Sequence, residues 1–336
     1  MDRPNLSILV PCWNEKETIR SLLEAIRDQS YPLDRMETII ADGGSTDGTL
    51  EEIERYRVSN PAHRVLLVHN SKRNIPSGLN LAIGASTGEI LVRLDGHSAP
   101  RREYLEGCVE LLQEGKGDMV GGKLDVVPRN GGWMARSIAI AASHPAGVGD
   151  SHFRFSSEPR EVDTIAFCAF HRKWIDRIGM YDENLLSNED YDFNSRLRQA
   201  GGRIWLNPSL LTTYYPPSSL PRLARQYLRY GFWKARMTMK SPTSIRWRQF
   251  MPPTTLVCAA LLAGFSVPFE PCRLLLAAGI TAYALVLLAV GFSRTIGRES
   301  NPFIAVGVPL AIATMHLCWA SAFLWSLVTF PFRKGS

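Results

Sequence analysis

From Met251 onward the chain carries seven charged side chains: Glu270, Arg273, Arg294, Arg298, Glu299, Arg333 and Lys334. Three long apolar stretches fill the space between them, at residues 254–269, 274–292 and 303–330. None has a polar face to turn to water, so buried helices of a soluble domain do not explain them. The second is long enough to cross a bilayer, and the third exceeds the roughly 20 residues a crossing needs. The first reaches that length only if residues 251–253 are included. Arg246 and Arg248 precede the first stretch, and Arg294 and Arg298 follow the second, which places those ends in the cytosol. Arg333 and Lys334 prefer the same side, and a simple third span does not satisfy them. Residues 303–330 then read either as one tilted span or as a re-entrant hairpin broken near Gly307 and Pro309.

The apolar tail makes the rest of the composition readable. Of 38 basic and 32 acidic residues, 33 and 30 fall in the first 250, an ordinary soluble balance behind the formal charge of +6. Nucleic-acid binders concentrate basic charge on one face, so this balance argues for no nucleic-acid partner. Cys12, Cys108, Cys168, Cys258, Cys272 and Cys318 form no CxxC pair and show no metal spacing. They read as small buried hydrophobes in a reducing compartment. The first residues, MDRPNLSILVPCWNE, give a short strand where a signal peptide needs a long apolar core, so the polar part is expected in the cytosol.

Short apolar runs alternate with helical patterns through the first 130 residues. Residues 6–10, 38–41, 65–68 and 90–94 are strand candidates rich in Ile, Leu and Val. Helix candidates lie between them at 15–29, 49–57, 76–85 and 101–114; Ile19, Leu22, Leu23 and Ile26 have helical spacing. Such alternation predicts an α/β fold, with βαβ units and a mostly parallel sheet flanked by helices. Ligands sit at the carboxyl ends of strands in such sheets, so functional side chains are expected just after each apolar run. Farther on, strands are expected at 119–127, 163–170 and 203–206, a loop-rich stretch at 131–159, and a helix at 189–200. Leu220–Lys240 reads as a helix mixing Arg222, Arg225 and Arg229 with Tyr227, Phe232 and Trp233, a composition that suits a membrane surface.

The strand ends carry the chemistry. The first run ends in Pro11-Cys12-Trp13-Asn14-Glu15, and the second in Asp42-Gly43-Gly44-Ser45-Thr46-Asp47-Gly48-Thr49. The fourth ends in Arg93-Leu94-Asp95-Gly96-His97. Asn188-Glu189-Asp190-Tyr191-Asp192-Phe193 and Gln226-Tyr227-Leu228-Arg229-Tyr230 follow. Each has a plain structural reading: Thr49 to Glu52 as a capping box, or acids at a helix start favouring the dipole. Together, in this order and at these strand ends, they point to one site.

That set resembles the family 2 glycosyltransferases, inverting enzymes of GT-A fold, over about residues 5–230. The resemblance implies that Pro11, Asn14, Glu15, Asp42, Ser45 and Asp47 hold the base and ribose of a nucleotide sugar, through charge-assisted hydrogen bonds. Lys72 or Arg73, just after the third strand, is placed to meet donor groups. The family's Asp-x-Asp, which binds a divalent cation on the donor diphosphate, is here Asp95-Gly96-His97. A carboxylate and an imidazole still bind Mn²⁺ or Mg²⁺, with nitrogen favouring Mn²⁺. Glu189 and Asp190 match the family's catalytic acidic pair, with Asp190 as general base. Gln226 and Arg229 look like a loose form of a Gln-x-x-Arg-Trp motif that contacts diphosphate and acceptor.

Within that family the chain resembles the bacterial succinoglycan-biosynthesis glucosyltransferases, through residues 92–98, 165–170, 188–194 and 226–234. The resemblance implies UDP-glucose as donor and a polyprenyl-diphosphate-linked saccharide as acceptor. It also implies a place in the bacterial inner membrane with the catalytic domain cytoplasmic. The expected organisation is a GT-A domain at 1–217, an amphipathic interfacial region at 218–250 and a transmembrane region at 251–336. A sugar nucleotidyltransferase would share the sheet and acidic site, but needs a Gly-rich basic phosphate loop where Pro11 to Glu15 stand. A non-enzymatic membrane scaffold predicts loss of Asp95, Glu189 or Asp190, and all three are present.

Overall fold

The computed structural model describes residues 3–244, 246–295, 299 and 301–329. Arg298, Phe330, Arg333 and Lys334 lie outside the described residues. In chain order the strands and helices begin with β1 Leu6–Cys12, α1 Ile19–Arg27, β2 Met36–Asp42, α2 Thr49–Ser59, β3 Arg64–His69, α3 Ile75–Ala85 and β4 Ile90–Arg93. There follow β5 Ala99–Pro100, α4 Tyr104–Gln113, β6 Met119–Val126, α5 Trp133–Ala142, α6 Pro145–Val148, β7 Arg160–Glu161 and β8 Cys168–His171. The last are α7 Lys173–Ile178, α8 Glu189–Gln199, β9 Ile204–Tyr214, α9 Leu220–Lys240, α10 Met251–Phe265, α11 Glu270–Thr295 and α12 Phe303–Thr329. They fall into two compact units, Met1–Asp125 with Phe155–Tyr214, and Val126–Arg154 with Tyr215–Ser336.

The first unit holds one mixed sheet in the order β3-β2-β1-β4-β8-β6-β9-β5, with β7 on β9. β3, β2, β1 and β4 are parallel; Ile8 pairs with Thr38 on one side and Val92 on the other. Every residue of β1 and β2 is buried, the continuous burial of a sheet covered on both faces. α1 turns Ile19, Leu22, Leu23 and Ile26 onto that sheet, and all four are completely buried. Burial of each stabilises by about 1.5–3 kcal/mol, so Leu22→Ala costs roughly 2–5 kcal/mol with its cavity. Beyond β4 the pairing turns antiparallel, with Val92 opposite Ala169.

Two elements of this unit differ from the sequence expectation. The run at 163–170 is strand only at Cys168–His171, because its upstream part bonds to α8 instead: Asn194 donates to Thr164 Oγ1 and to the Ile165 carbonyl, each at 2.9 Å. The expected strand at 203–206 continues to Tyr214, through Pro208. A proline lacks the ladder N–H, but here it falls between the pairings at Leu206 and Thr212.

In the second unit α12 is the central helix. Ile304, Val308, Ile312 and Met315 form a core with Ile138 of α5 and Leu223 of α9. Glycines permit the closest approaches: Gly307 abuts Ser137, Gly231 abuts the Trp319 carbonyl, and Gly291 abuts the Ala305 carbonyl. α5 lies where the sequence read as loop. Its buried face of Ala135, Ser137, Ile138, Ala139, Ala141 and Ala142 is too small and continuous to give an amphipathic signal. α12 runs unbroken through Pro309, which removes the hairpin break expected near Gly307 and Pro309. The proline costs one helical hydrogen bond, and packing on both sides offsets it. α11 and α12 are each long and apolar enough to cross a membrane.

Candidate functional site

The loops after β1 and β2 are built against each other. Asn14 donates its backbone N–H to Ser45 Oγ at 2.8 Å, and its side-chain oxygen accepts from Thr46 N at 2.9 Å. Glu15 N bonds Thr49 Oγ1 at 2.9 Å and Lys16 N bonds Asp47 Oδ2 at 3.1 Å. Asp42 is 3% exposed. Its carboxylate accepts from Gly44 N, Ser45 N and Ser45 Oγ at 2.8, 3.0 and 2.5 Å. Gly44 and Gly48 take φ of +79° and +99°, conformations that favour glycine. The capping-box reading of Thr49 and Glu52 gives way here: Gly48 is the cap residue, and Asp47 Oδ1 accepts from both N and Oγ1 of Thr49. These bonds hold Asp47 below the ordinary carboxylate range, the Thr49 hydroxyl foremost. Pro11 is buried, packed beside Gly78 of α3.

A second cluster forms where β4 ends and α8 begins. Arg93 is buried, and its Nη2 donates to Glu189 Oε1 at 2.8 Å while its Nε lies 3.5 Å from Asp95 Oδ1. Burial opposes the charge of this guanidinium, but Asp95, Glu189 and Asp190 outweigh it and hold its pKa well above the usual value. Burial pushes Glu189 up, to about 7; Arg93 pulls against that shift and Asp190 adds to it. Glu189 is 4% exposed, whereas Asp190 beside it is half-buried and accepts from Tyr191 N at 2.7 Å. α8 is fixed at its core by Phe193, which stacks on Tyr181 at 4.6 Å between ring centroids and packs on Phe170.

His97, two residues after Asp95, bonds to the first cluster. Its Nδ1 lies 2.9 Å from Glu15 Oε1, and Glu15 Oε2 accepts from Thr18 Oγ1 at 2.7 Å. The structure thus holds Asn14, Glu15, Asp42, Ser45, Asp47 and His97 in one bonded set after β1, β2 and β4, and gathers Asp95, Glu189 and Asp190 around Arg93 in another.

The remaining predicted residues sit differently. Arg73, at φ +53°, lays its guanidinium over Gly44. Lys72 pairs with Glu183 at 2.6 Å. Gln226 and Arg229 lie on α9 in the second unit; Gln226 Nε2 donates to Tyr230 Oη at 3.0 Å, and Arg229 stands over the Tyr230 ring. Among the described residues the only non-glycine positive φ values are at Asn14, Arg73 and Asn188, each on a loop of this site. The sequence reading passed over Arg93, although a cation inside the run Ile90-Leu91-Val92-Arg93 was a visible signal. Asn80 was missed as well, and nothing in its helical context marks it. It holds Tyr181 by both backbone groups and Glu183 by its amide.

The donor set suits a divalent cation that a ligand helps to hold. Asp95 Oδ1 is buried without a hydrogen-bond partner. Glu15 can accept from His97 Nδ1–H, and that tautomer puts the lone pair on Nε2, the carboxylate–histidine arrangement of metal-ligating imidazoles. No cluster of three or more potential ligands occurs among the described residues.

Comparison with known proteins follows the same lines. The family model described as glycosyl transferase family 2 matches residues 7–179, and that of glycosyl transferase family 21 matches residues 160–332. The chain is 29% identical to the succinoglycan biosynthesis protein ExoA of Rhizobium meliloti (strain 1021), over 97% of this chain and 96% of the relative. It is 27% identical to a dolichyl N-acetyl-alpha-D-glucosaminyl phosphate 3-beta-D-2,3-diacetamido-2,3-dideoxy-beta-D-glucuronosyltransferase of Methanococcus voltae, over 72% and 76%. The solved mannosyltransferase PcManGT from Pyrobaculum calidifontis, in complex with GDP-Man and Mn²⁺, superposes with a TM-score of 0.67 at 22% identity, covering 97% and 88%. That last likeness is one of fold.

Proposed function

Because this chain belongs to glycosyl transferase family 2, we propose that it moves a sugar, glucose from UDP-glucose, onto a polyprenyl-diphosphate-linked saccharide at the bacterial inner membrane. Its coarser assignment, a glycosyltransferase of glycan biosynthesis, follows from the family and the relatives. The observation that carries the mechanism is the asymmetry of the acidic pair: Glu189 is buried on Arg93, and Asp190 beside it keeps access to solvent.

In this reading Asp190 takes the proton of the acceptor hydroxyl as that oxygen attacks the anomeric carbon, and single displacement inverts the configuration. Glu189 orients the start of α8 through Arg93. The loop of Asp42, Ser45 and Asp47, with Asn14 and Glu15, receives base and ribose, and Arg73 meets the phosphates. Asp95 and His97 hold a divalent cation, Mn²⁺ or Mg²⁺, which when bound neutralises charge on the departing diphosphate. Gln226 and Arg229 assist at the diphosphate and acceptor. Residues 1–217 carry the chemistry, 218–250 meet the membrane surface, and 251–336 anchor the chain beside a lipid-borne acceptor.

Asp190→Asn is expected to lower turnover by roughly 10²–10⁴-fold while donor affinity, read by calorimetry, stays within experimental scatter. Full turnover by that variant removes the base assignment. Incubation with UDP-glucose, UDP-galactose, GDP-mannose and dTDP-rhamnose tests the donor. Release of free UDP from UDP-glucose alone is the expected result, and release from another donor alone corrects the sugar.

A further inference from the structure

At residues 163–165 a run of strand length gives up the ladder and bonds to α8 instead. The place of this segment on the sheet is fixed by β8. That strand runs antiparallel to β4, with Cys168 opposite Arg93. Chain leading into Cys168 therefore emerges at the same edge of the sheet as chain leaving Arg93, the edge that carries Asp95 and His97. Along the order β2-β1-β4-β8, the loops of Asp42 and Asn14 come first, Asp95 next, and residues 163–165 last.

The segment is held by polar side chains of α8. Asp163 and Thr164 are buried. Tyr191 Oη donates to Asp163 Oδ2 at 3.1 Å, and the buried Asn194 donates to Thr164 Oγ1 and to the Ile165 carbonyl. A carboxylate taken out of water is costly unless a donor meets it. Here that donor comes from the residue that follows Asp190. No step described above uses Asp163.

α8 shows what this wall flanks. At 3.6 residues per turn, successive side chains are about 100° apart. From Asp190, Glu189 turns one way, onto Arg93 and so toward Asp95. Tyr191 turns the other way, onto Asp163. Asp190 and Tyr191 are both half-buried. The base thus stands between the carboxylate of the diphosphate side and the pair Tyr191–Asp163. Single displacement needs that order. The acceptor oxygen bonds to the anomeric carbon on the face opposite the diphosphate oxygen whose bond breaks, and its proton passes to Asp190. The ring that bears the acceptor hydroxyl then lies on the Tyr191 side. A phenol that has given its hydrogen to Asp163 meets a sugar hydroxyl as an acceptor. Its ring offers an apolar face to the C–H groups of a pyranose.

We propose that Tyr191, oriented by Asp163, binds the acceptor sugar as a pyranose with a free hydroxyl beside the attacking one. Tyr191 is the binding residue and Asp163 a positioning residue. This rests on the transferase reading above, with Asp190 as base, and deepens it by a contact to the acceptor ring itself.

The test supplies the full chain with whichever donor of the panel above it cleaves, and with octyl β-D-glucopyranoside, octyl β-D-galactopyranoside or octyl α-D-mannopyranoside. The octyl disaccharide is followed by mass spectrometry. Tyr191→Phe keeps the ring and loses the hydroxyl. It is expected to raise KM for the glycoside roughly 3- to 10-fold, the worth of one hydrogen bond, with donor KM within about twofold. Asp163→Ala should do the same, and Asp163→Asn, whose amide oxygen still accepts from the phenol, should recover most of the loss. An equal rise in both KM values for Tyr191→Phe, or a rise in neither, overturns the proposal. Asp163→Asn no better than Asp163→Ala overturns the positioning role of Asp163. Transfer to none of the three glycosides while the donor is cleaved overturns the pyranose acceptor. The base assignment fails separately, by full turnover of Asp190→Asn.

Discussion

At the end of β2 one carboxylate, Asp42, meets three donors from its own loop, and both of its oxygens are engaged. At the end of β4 and the start of α8, three carboxylates share one buried guanidinium, and Asp95 Oδ1 and Arg93 Nη1 have no hydrogen-bond partner. Asp42 and Glu189 are buried alike, but satisfaction differs between the two places. A loop whose polar groups are matched is rigid before any ligand arrives, and removing a member costs the local bonds. A cluster with excess negative charge and an orphaned oxygen is matched only when something cationic or protic enters it. That contrast separates the part of the site that shapes a pocket from the part that does chemistry.

The largest expected effect breaks the comparison on the acidic side. Arg93→Met leaves Glu189 buried without its partner and is expected to destabilise by about 3–5 kcal/mol, read from the urea midpoint of the purified chain. The pair Arg93→Met/Glu189→Leu should recover most of the loss, because no buried charge then lacks a counterion. Equal destabilisation by the single and double variants would show that Arg93 acts through packing.

Next comes a pH effect that lies outside both loops and has to be separated from them. His63 is 3% exposed, with Nε2 on Thr38 Oγ1 and Nδ1 on the Tyr56 hydroxyl, both at 2.8 Å. Burial, with Arg27 adding, lowers its pKa to about 4. The unfolded chain therefore takes up this proton first, near the ordinary value of about 6.5. Stability is full above pH 6.5 and falls as pH drops toward 4, by roughly 3 kcal/mol in all. A pH–stability series shows this slope in the wild type and lacks it in His63→Gln. Asp42→Ala is smaller again, about 1.5–3 kcal/mol from lost charge-assisted bonds, with donor KM raised more than kcat is lowered.

The matched loop was also the easier one to read. Gly44, Gly48 and the acids around them act within a few residues, so DGGSTDGT announces its own turn. Asp95, Glu189 and Asp190 were visible as motifs, but their convergence on Arg93 spans 96 residues and is set by the register of β4 against β8. The first four strands and their helices were legible because each carries its period locally. α5 was not, because a helix of alanines buried against α12 shows no polar face, and the irregular backbone at residues 163–165 was hidden because its partner is a side chain of α8. Proline misled at 309, where it suggested a break in α12 that packing overrides, and the strand expected at 203–206 runs on through Pro208 to Tyr214.

The smallest effect tests which contact holds the loop before α8 in place. Lys72 and Glu183 make a short ion pair, yet the lysine side chain is 63% exposed and the glutamate 32%. Lys72→Ala is therefore expected to cost about 1 kcal/mol or less, and less still in high salt. Asn80 makes the same connection from the shielded side, accepting from Tyr181 N and donating to its carbonyl, each at 2.9 Å. Asn80→Ala leaves both backbone groups without partners and is expected to cost about 1–3 kcal/mol. It should also lower kcat, because Tyr181 stacks on Phe193 three residues after Asp190. A larger loss from Lys72→Ala than from Asn80→Ala would mean that charge, rather than matched hydrogen bonding, positions the catalytic helix, and the division drawn between the two loops would not extend to their supports.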